Sequence, residues 1–254
     1  MSFTVTATES GASANQGVYL QVQVLTGAIE TGGATSGGTA TTNVASQGSL
    51  TPNFSHSLPL FSISADALTG ALPAAASNNT YYTNAVDSTD NWAYAFGYYS
   101  GTVTAATPLT YGCGSAAGSD HGNWCAYEIQ PSGGSTPAVD GSSPAAVGSP
   151  TVQAISTAAF TPPAGSVLVA MVVAGGTGSG AGITMTITDT SGLGLVWTQR
   201  AVSSASDNFQ PTWVFTAPTS AAATSGPLLG LQALVQAPVT AVSVSGWRNA
   251  AHSR

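Results

Sequence analysis

Hydrophobic and polar positions along this chain change places in steps of two over most of its length, the period of a strand with one face on a core. The clearest case is Ile183-Thr-Met-Thr-Ile-Thr188, which sets Ile183, Met185 and Ile187 on one face and Thr184, Thr186 and Thr188 on the other. Just before it, residues 160–174 (FTPPAGSVLVAMVVA) open with a Pro-Pro-Ala-Gly turn and enter a continuous apolar run, 167–174. Such a run predicts a strand buried on both faces. The two segments are expected at the centre of a β-sandwich. Further strands are predicted over 3–8, 18–25, 57–64, 80–86, 91–99, 108–112 and 123–129. In the second of these, Leu20, Val22 and Val24 should face inward, and Gln21 and Gln23 outward. Residues 30–49, rich in Gly, Thr and Ser, predict a long mobile loop or an edge strand with a broad turn. Only 65–76 offers a helical turn, made of weak formers around a proline.

Residues 131–149 (PSGGSTPAVDGSSPAAVGS) have the composition of a linker, with almost no large apolar side chain. Beyond them strands are predicted near 151–155, 166–173, 183–188, 195–202, 211–215, 229–235 and 239–245. The two halves echo each other: Leu50-Thr-Pro52 precedes Leu58-Pro-Leu-Phe61 as Phe160-Thr-Pro162 precedes Leu168-Val-Ala-Met171, and Trp-bearing strands follow (Trp92 and Trp124; Trp197 and Trp213). The expectation is an all-β protein of two tandem β-sandwich domains, jelly-roll or Ig-like, spanning 1–131 and 150–254 and joined by a linker over 132–149.

Composition sharpens this picture. Charged residues make up 5% of the 254 positions, against about 25% in ordinary soluble domains. There is no lysine, and Arg200, Arg248 and Arg254 are the only arginines. A hydrophobic share of 43%, with five Trp and eight Tyr, supplies ample core material. Solubility therefore rests on Ser, Thr, Asn, Gln and backbone amides. A formal net charge of −7 leaves too few cations to neutralise phosphates, so nucleic acid is excluded as a partner. MSFTVTATES has neither the basic nor the apolar region of a signal peptide. The longest apolar run also falls well short of the ~18 residues of a membrane span. Synthesis in a cytosol without membrane insertion is expected, and the uncharged surface suits a protein exposed on a released particle.

Three segments carry a resemblance: FTVTATESGASANQGVYLQVQVLTGA at the start, CAYEIQPSGG…AVDGSSPAAV in the middle, and TAAFTPPAGSVLVAMVVAG…ITDTSGLGLVWTQR…WVFTAP later. They resemble a family of actinobacteriophage virion structural proteins, taken as minor tail or capsid-surface components. The resemblance implies a place in the virion, with major capsid or tail proteins as partners and self-association around a symmetry axis. Its motifs are turns and strands and bring no catalytic residue.

Candidate chemistry is sparse. Gly176-x-Gly178-x-x-Ala181 imitates a dinucleotide turn, but the residues after it alternate as a strand and offer no helix N-terminus, so a flexible hairpin loop is expected and no cofactor. Asp189-Thr-Ser-Gly192 imitates an aspartic-protease motif with Ser and Gly exchanged and no second copy, which favours a polar turn closing the strand. Asp120-His121, with Ser119 and Glu128 nearby, is the one acid–imidazole juxtaposition, and a solvated loop is favoured over a dyad. His56 and His252 are isolated, and Asp87 with Asp90 is too thin for a calcium cage, so no metal is expected. Cys113 and Cys125 leave two readings open, a disulfide between neighbouring strands or two packed thiols, and a cytosol favours the second.

One stripe remains. In the strand 91–100, Trp92, Tyr94, Phe96 and Tyr98 share a face and Tyr99 takes the other. A sandwich core is the favoured reading; the alternative is a glycan or partner contact through Trp92, Tyr94, Tyr98 and Tyr99. The expected function is accordingly a non-enzymatic virion component on the capsid exterior (a decoration protein) or the tail (a minor tail protein). Its alternative is an adhesin for host-surface glycan.

Overall fold

The computed structural model describes residues 1–11, 17–40, 47–66, 70–89, 91–115, 122–175, 183–203 and 210–219. Residues 1–222 form one compact unit and 223–254 a second, which lies wholly outside the described residues. The predicted strands at 229–235 and 239–245, the glycine-rich loop 176–182, and Asp90, Asp120, His121 and His252 also fall outside them.

The described residues are all-β, with no helix, and contain seventeen strands. These are β1 (Val5–Ser10), β2 (Val18–Thr26), β3 (Ala28–Ile29), β4 (Thr35–Ala40), β5 (Gln47–Leu50) and β6 (Leu58–Ala65). Then come β7 (Asn79–Asp87), β8 (Trp92–Tyr99), β9 (Leu109–Gly112), β10 (Gly122–Pro131), β11 (Ala138–Val139) and β12 (Val147–Ser149). The last are β13 (Ala154–Ser156), β14 (Val167–Ala174), β15 (Thr184–Asp189), β16 (Thr198–Val202) and β17 (Thr212–Pro218).

Four sheets result. An outer sheet runs β13-β1-β15, and an inner one runs β11-β2-β14-β17-β16 with β12 also on β2. A second inner sheet runs β3-β10-β6-β8-β7 with β4 also on β10, and a short β5-β9 pair completes the set. Three cores lie between them. The outer sheet meets the first inner sheet through Val5, Ala7, Met185 and Ile187 packed on Leu20, Val22, Leu168, Val172 and Phe215. The two inner sheets meet through Val169, Met171 and Val173 against Leu60, Trp92, Phe96 and Tyr127. The β5-β9 pair covers Phe61, Ile63 and Ala95 with Leu50, Leu109 and Tyr111.

The apolar run 167–174 sits where its sequence requires. Every residue of β14 is buried, with Leu168, Ala170 and Val172 in one core and Val167, Val169, Met171 and Val173 in the next. β15 keeps its alternation, with Met185 and Ile187 buried and Thr184, Thr186 and Thr188 exposed, although it pairs with β1 and not with β14. β2 departs from expectation. Gln21 and Gln23 are as buried as the valines, because the second inner sheet covers the face that alternation assigns to water. Gln21 is satisfied there, donating through Nε2 to the Pro144 carbonyl at 3.1 Å and accepting from Thr83 Oγ1 at 3.1 Å.

The division into sandwiches over 1–131 and 150–254 does not hold. β1 is flanked by β13 and β15, and β2 by β14 on one side and β11 and β12 on the other. Both N-terminal strands thus take their partners from beyond residue 137. The segment 132–149 is no linker either: β11 and β12 extend the first inner sheet along β2. A chain leaving β10 in one sheet and entering β11 in the next stitches the two inner sheets together. Residues 70–76 make no helical turn, and of the two readings of 30–49 the edge strand holds in part: among the described residues β4 pairs along β10 on one side only.

Candidate functional site

The aromatic stripe is mostly core. Trp92, Tyr94 and Phe96 project between the two inner sheets, where Tyr19 meets Trp92 edge-on at 5.1 Å and Tyr94 at 4.3 Å. Their faces are sealed, which removes Trp92 and Tyr94 as a stacking platform. Tyr98 and Tyr99, at the end of β8, are half-buried and reach a groove.

This groove has a volume of about 600 Å³. Tyr82 of β7 and Tyr98 of β8 stack on one wall, with ring centroids 4.9 Å apart and planes 27° from parallel. Burial, reinforced by the neighbouring Tyr98, pushes the Tyr82 phenol well above its usual range. Tyr99 follows, with its hydroxyl near Asn78 Nδ2 at 3.5 Å. The loop after β8 adds Ser100, Gly101, Thr102 and Val103. Across from it stand Thr136, Pro137 and Val139, supplied by the crossing between the inner sheets. His56 closes one end; its backbone is left-handed (φ 60°) and its N–H donates to the Val103 carbonyl at 3.0 Å.

Three acidic residues are committed to the fold. Glu128, fully buried on β10, accepts N–H bonds from Ala34 and Asn53 at 2.8 Å and from Phe54 at 2.9 Å. Asp87 accepts from the Tyr19 hydroxyl at 2.9 Å and from the Thr89 N–H at 2.8 Å. Asp189 caps its own turn: it accepts from the Ser191 N–H at 2.9 Å, from the Ser191 hydroxyl, and from Trp197 Nε1 at 3.1 Å. Glycines with positive φ at 192 and 194 finish that turn. The motif Asp189-Thr-Ser-Gly192 is therefore a strand-closing turn. No group of three or more His, Cys, Asp or Glu side chains converges among the described residues.

The cysteines lie on opposite faces of one sheet. Cys125 projects from β10 into the core between the inner sheets, and Cys113 lies in the core under the β5-β9 pair. A whole sheet separates them, so the disulfide reading is excluded. Burial pushes the Cys125 thiol up to about 12, against the opposing pull of hydrogen bonds from Thr212 and the Ser62 backbone. The Thr212 hydroxyl donates to its sulfur at 3.2 Å.

Tyr98 and Tyr99 were legible in the sequence, but Tyr82, Thr102 and Thr136 were not: Tyr82 comes from β7 beside β8, Thr102 from the loop after β8, and Thr136 from the β10-to-β11 crossing. The anchoring role of Glu128 was also not read from the sequence, which marks it only as a neighbour of the Asp120-His121 loop, although one signal was present. Glu128 shares its face of β10 with Trp124 and Ala126, and a lone carboxylate on an apolar face is a buried anchor. Compared with known proteins, the chain matches no family model, no curated protein and no solved structure.

Proposed function

We propose that the chain is a non-enzymatic structural component of a bacteriophage virion, mounted on the capsid exterior as a decoration protein or on the tail as a minor tail protein. One observation carries this reading: the segments that resemble virion proteins build the interlocked frame. Residues 3–28 supply β1, β2 and the first residue of β3; 125–134 and 138–147 supply most of β10 and all of β11; and 157–175, 187–200 and 213–218 supply β14, half of β15 and most of β16 and β17. The resembling segments thus fall on strands of the outer and first inner sheets and on β10, while β4 and β6 to β8 of the second inner sheet lie outside them.

The side-chain chemistry agrees with a structural role. The oxygens of Glu128, Asp87 and Asp189 are taken up in holding loops and turns. The outer face of the β13-β1-β15 sheet displays hydroxyls instead of charges. Thr6 pairs there with Ser156 at 2.7 Å, Ser10 with Thr184 at 2.7 Å, and Thr4 with Thr190 at 3.2 Å. Docking through such a face uses hydrogen bonds and shape, with neighbours being major capsid or tail proteins or further copies around a symmetry axis.

The test is direct. Labelled antibody imaged on purified virions should decorate them at fixed positions, and washing in about 1 M salt, where the Debye length is about 3 Å, should not strip the protein. Absence from virions, or release by salt alone, would overturn the reading. The adhesin alternative loses its broad platform with the burial of Trp92 and Tyr94.

A further inference from the structure

The groove beside Tyr98 has the composition of a ligand site, and no charged residue to match. Among the described residues that border it, His56 aside, there is no titratable group other than tyrosine and no Asp, Glu, Lys or Arg. Its volume of about 600 Å³ lies inside the ~300–1,000 Å³ range of small-molecule sites. Aromatic faces occupy one wall, while Ser100, Thr102 and Thr136 place short hydroxyls around the rim, all three exposed. Tyr82, whose hydroxyl is buried without a partner among the described residues, backs the Tyr98 ring.

These features select a ligand chemistry. An ionised ligand would find no counter-charge here, and the net charge of −7 repels anions further. A purely apolar ligand would strip water from the hydroxyl rim and return no hydrogen bonds. A pyranose ring meets both demands, because its C–H face packs on tyrosine and its hydroxyls exchange bonds with Ser and Thr. We propose that this groove binds a neutral mono- or disaccharide, laid against Tyr98 and bordered by Tyr99, with its hydroxyls met by Ser100, Thr102 and Thr136. The walls are pre-positioned: the Tyr82–Tyr98 stack fixes one side and the β10-to-β11 crossing the other. The site is independent of where the protein is mounted, so its failure would leave the virion reading untouched.

The experiment is an NMR titration of the full-length chain with methyl glucoside, methyl galactoside, methyl mannoside and N-acetylglucosamine. A shallow neutral site predicts a Kd on the order of 1–10 mM for the preferred sugar. Saturable shifts should be confined to amides of 99–103 and 136–139. Thr136→Trp, which fills the groove from an exposed position, should weaken binding about tenfold or more with the melting temperature unchanged. Tyr99→Ala should weaken it as well. The proposal is overturned if none of the four sugars produces saturable shifts, or if Thr136→Trp binds as tightly as the parent. It is equally overturned if a proline-rich peptide shifts these amides while the sugars do not.

Discussion

Ala34 and Glu128 hold each other twice: the Ala34 N–H donates to Glu128 Oε2 at 2.8 Å, and the Glu128 N–H donates to the Ala34 carbonyl at 2.9 Å. The same carboxyl group gathers Asn53 and Phe54, so one buried side chain ties the approaches to β4 and β6 onto β10. Gly33 makes the approach possible, since a Cβ there would lie 1.8 Å from the Glu128 carbonyl oxygen. Replacing Glu128 by Gln turns an acceptor into a donor against N–H groups that are themselves donors. The expected cost is about 2–4 kcal/mol, a fall in melting temperature of roughly 4–16 °C. A Glu128→Gln protein that melts like the parent in calorimetry would refute the anchor.

Glu9 makes stability depend on pH in a defined direction. It is 3% exposed, its Oε2 has no partner among the described residues, and burial pushes its carboxyl from 4.5 up to about 7. Between those two values the folded chain keeps a proton that the unfolded chain releases, so stability falls as pH rises through the window and levels off above it. A shift of that size corresponds to at most about 3 kcal/mol, or about 6–12 °C in melting temperature. Glu9→Gln should remove that slope between pH 5 and 8. Unchanged pH dependence in the variant would place the titration elsewhere.

Much of the fold was legible because local periodicity records how many faces of a strand are covered. β14 reads as doubly buried and β15 as singly buried, and both are. The same rule misreads β2, since Gln21 and Gln23 look like solvent positions but are covered by a second sheet. Partnership between strands leaves no local trace. Nothing in 1–26 indicates that β1 will pair with 184–189 or β2 with 167–174. The segment 132–149 resembles a linker because β11 and β12 are two and three residues long, too short to show a period. The groove shares that history, since its Thr136 wall belongs to the misread segment. Tyr98 was visible as an aromatic on a strand, while its usefulness depends on a crossing that composition conceals.

The two thiols should be inert in the native protein. Cys125 is fully buried with its thiol pushed up to about 12, and Cys113 is also fully buried. A thiol reagent at pH 8 should label neither until the chain unfolds, and then both. Mild oxidant should create no internal crosslink, which intact-mass measurement would show. Recovery of a Cys113–Cys125 disulfide from protein that never unfolded would contradict their placement on opposite faces of β10's sheet.

Close packing also sets a glycine requirement at Gly148, which faces Tyr19 across the β12–β2 pairing. A Cβ there would lie 2.0 Å from the tyrosine Cδ1, and that ring is fixed between Trp92 and Tyr94 with its hydroxyl on Asp87. Gly148→Ala should therefore cost about 1–3 kcal/mol by overpacking. Denaturant titration should show a lower midpoint with an unchanged slope.

The interleaved topology makes the strongest demand. If 1–131 were a domain, it would fold when produced alone. In the structure that fragment keeps β6, β7, β8 and β10 together, but it strips β1 of both neighbours and β2 of β11, β12 and β14. Val18, Leu20, Val22 and Val24 would lose the core they share with Leu168 and Val172, and Trp92 and Phe96 would lose Val169 and Met171 above them. The exposed apolar faces and open strand edges invite association rather than a native monomer. The 1–131 fragment should therefore bind a hydrophobic dye, lack near-ultraviolet circular dichroism and melt without a cooperative transition. The chain ending at 222 should retain all three cores. A sharply melting, dispersed-spectrum 1–131 monomer would mean that β1 and β2 find partners within the first half, and the pairing of β2 with β14 would then be wrong.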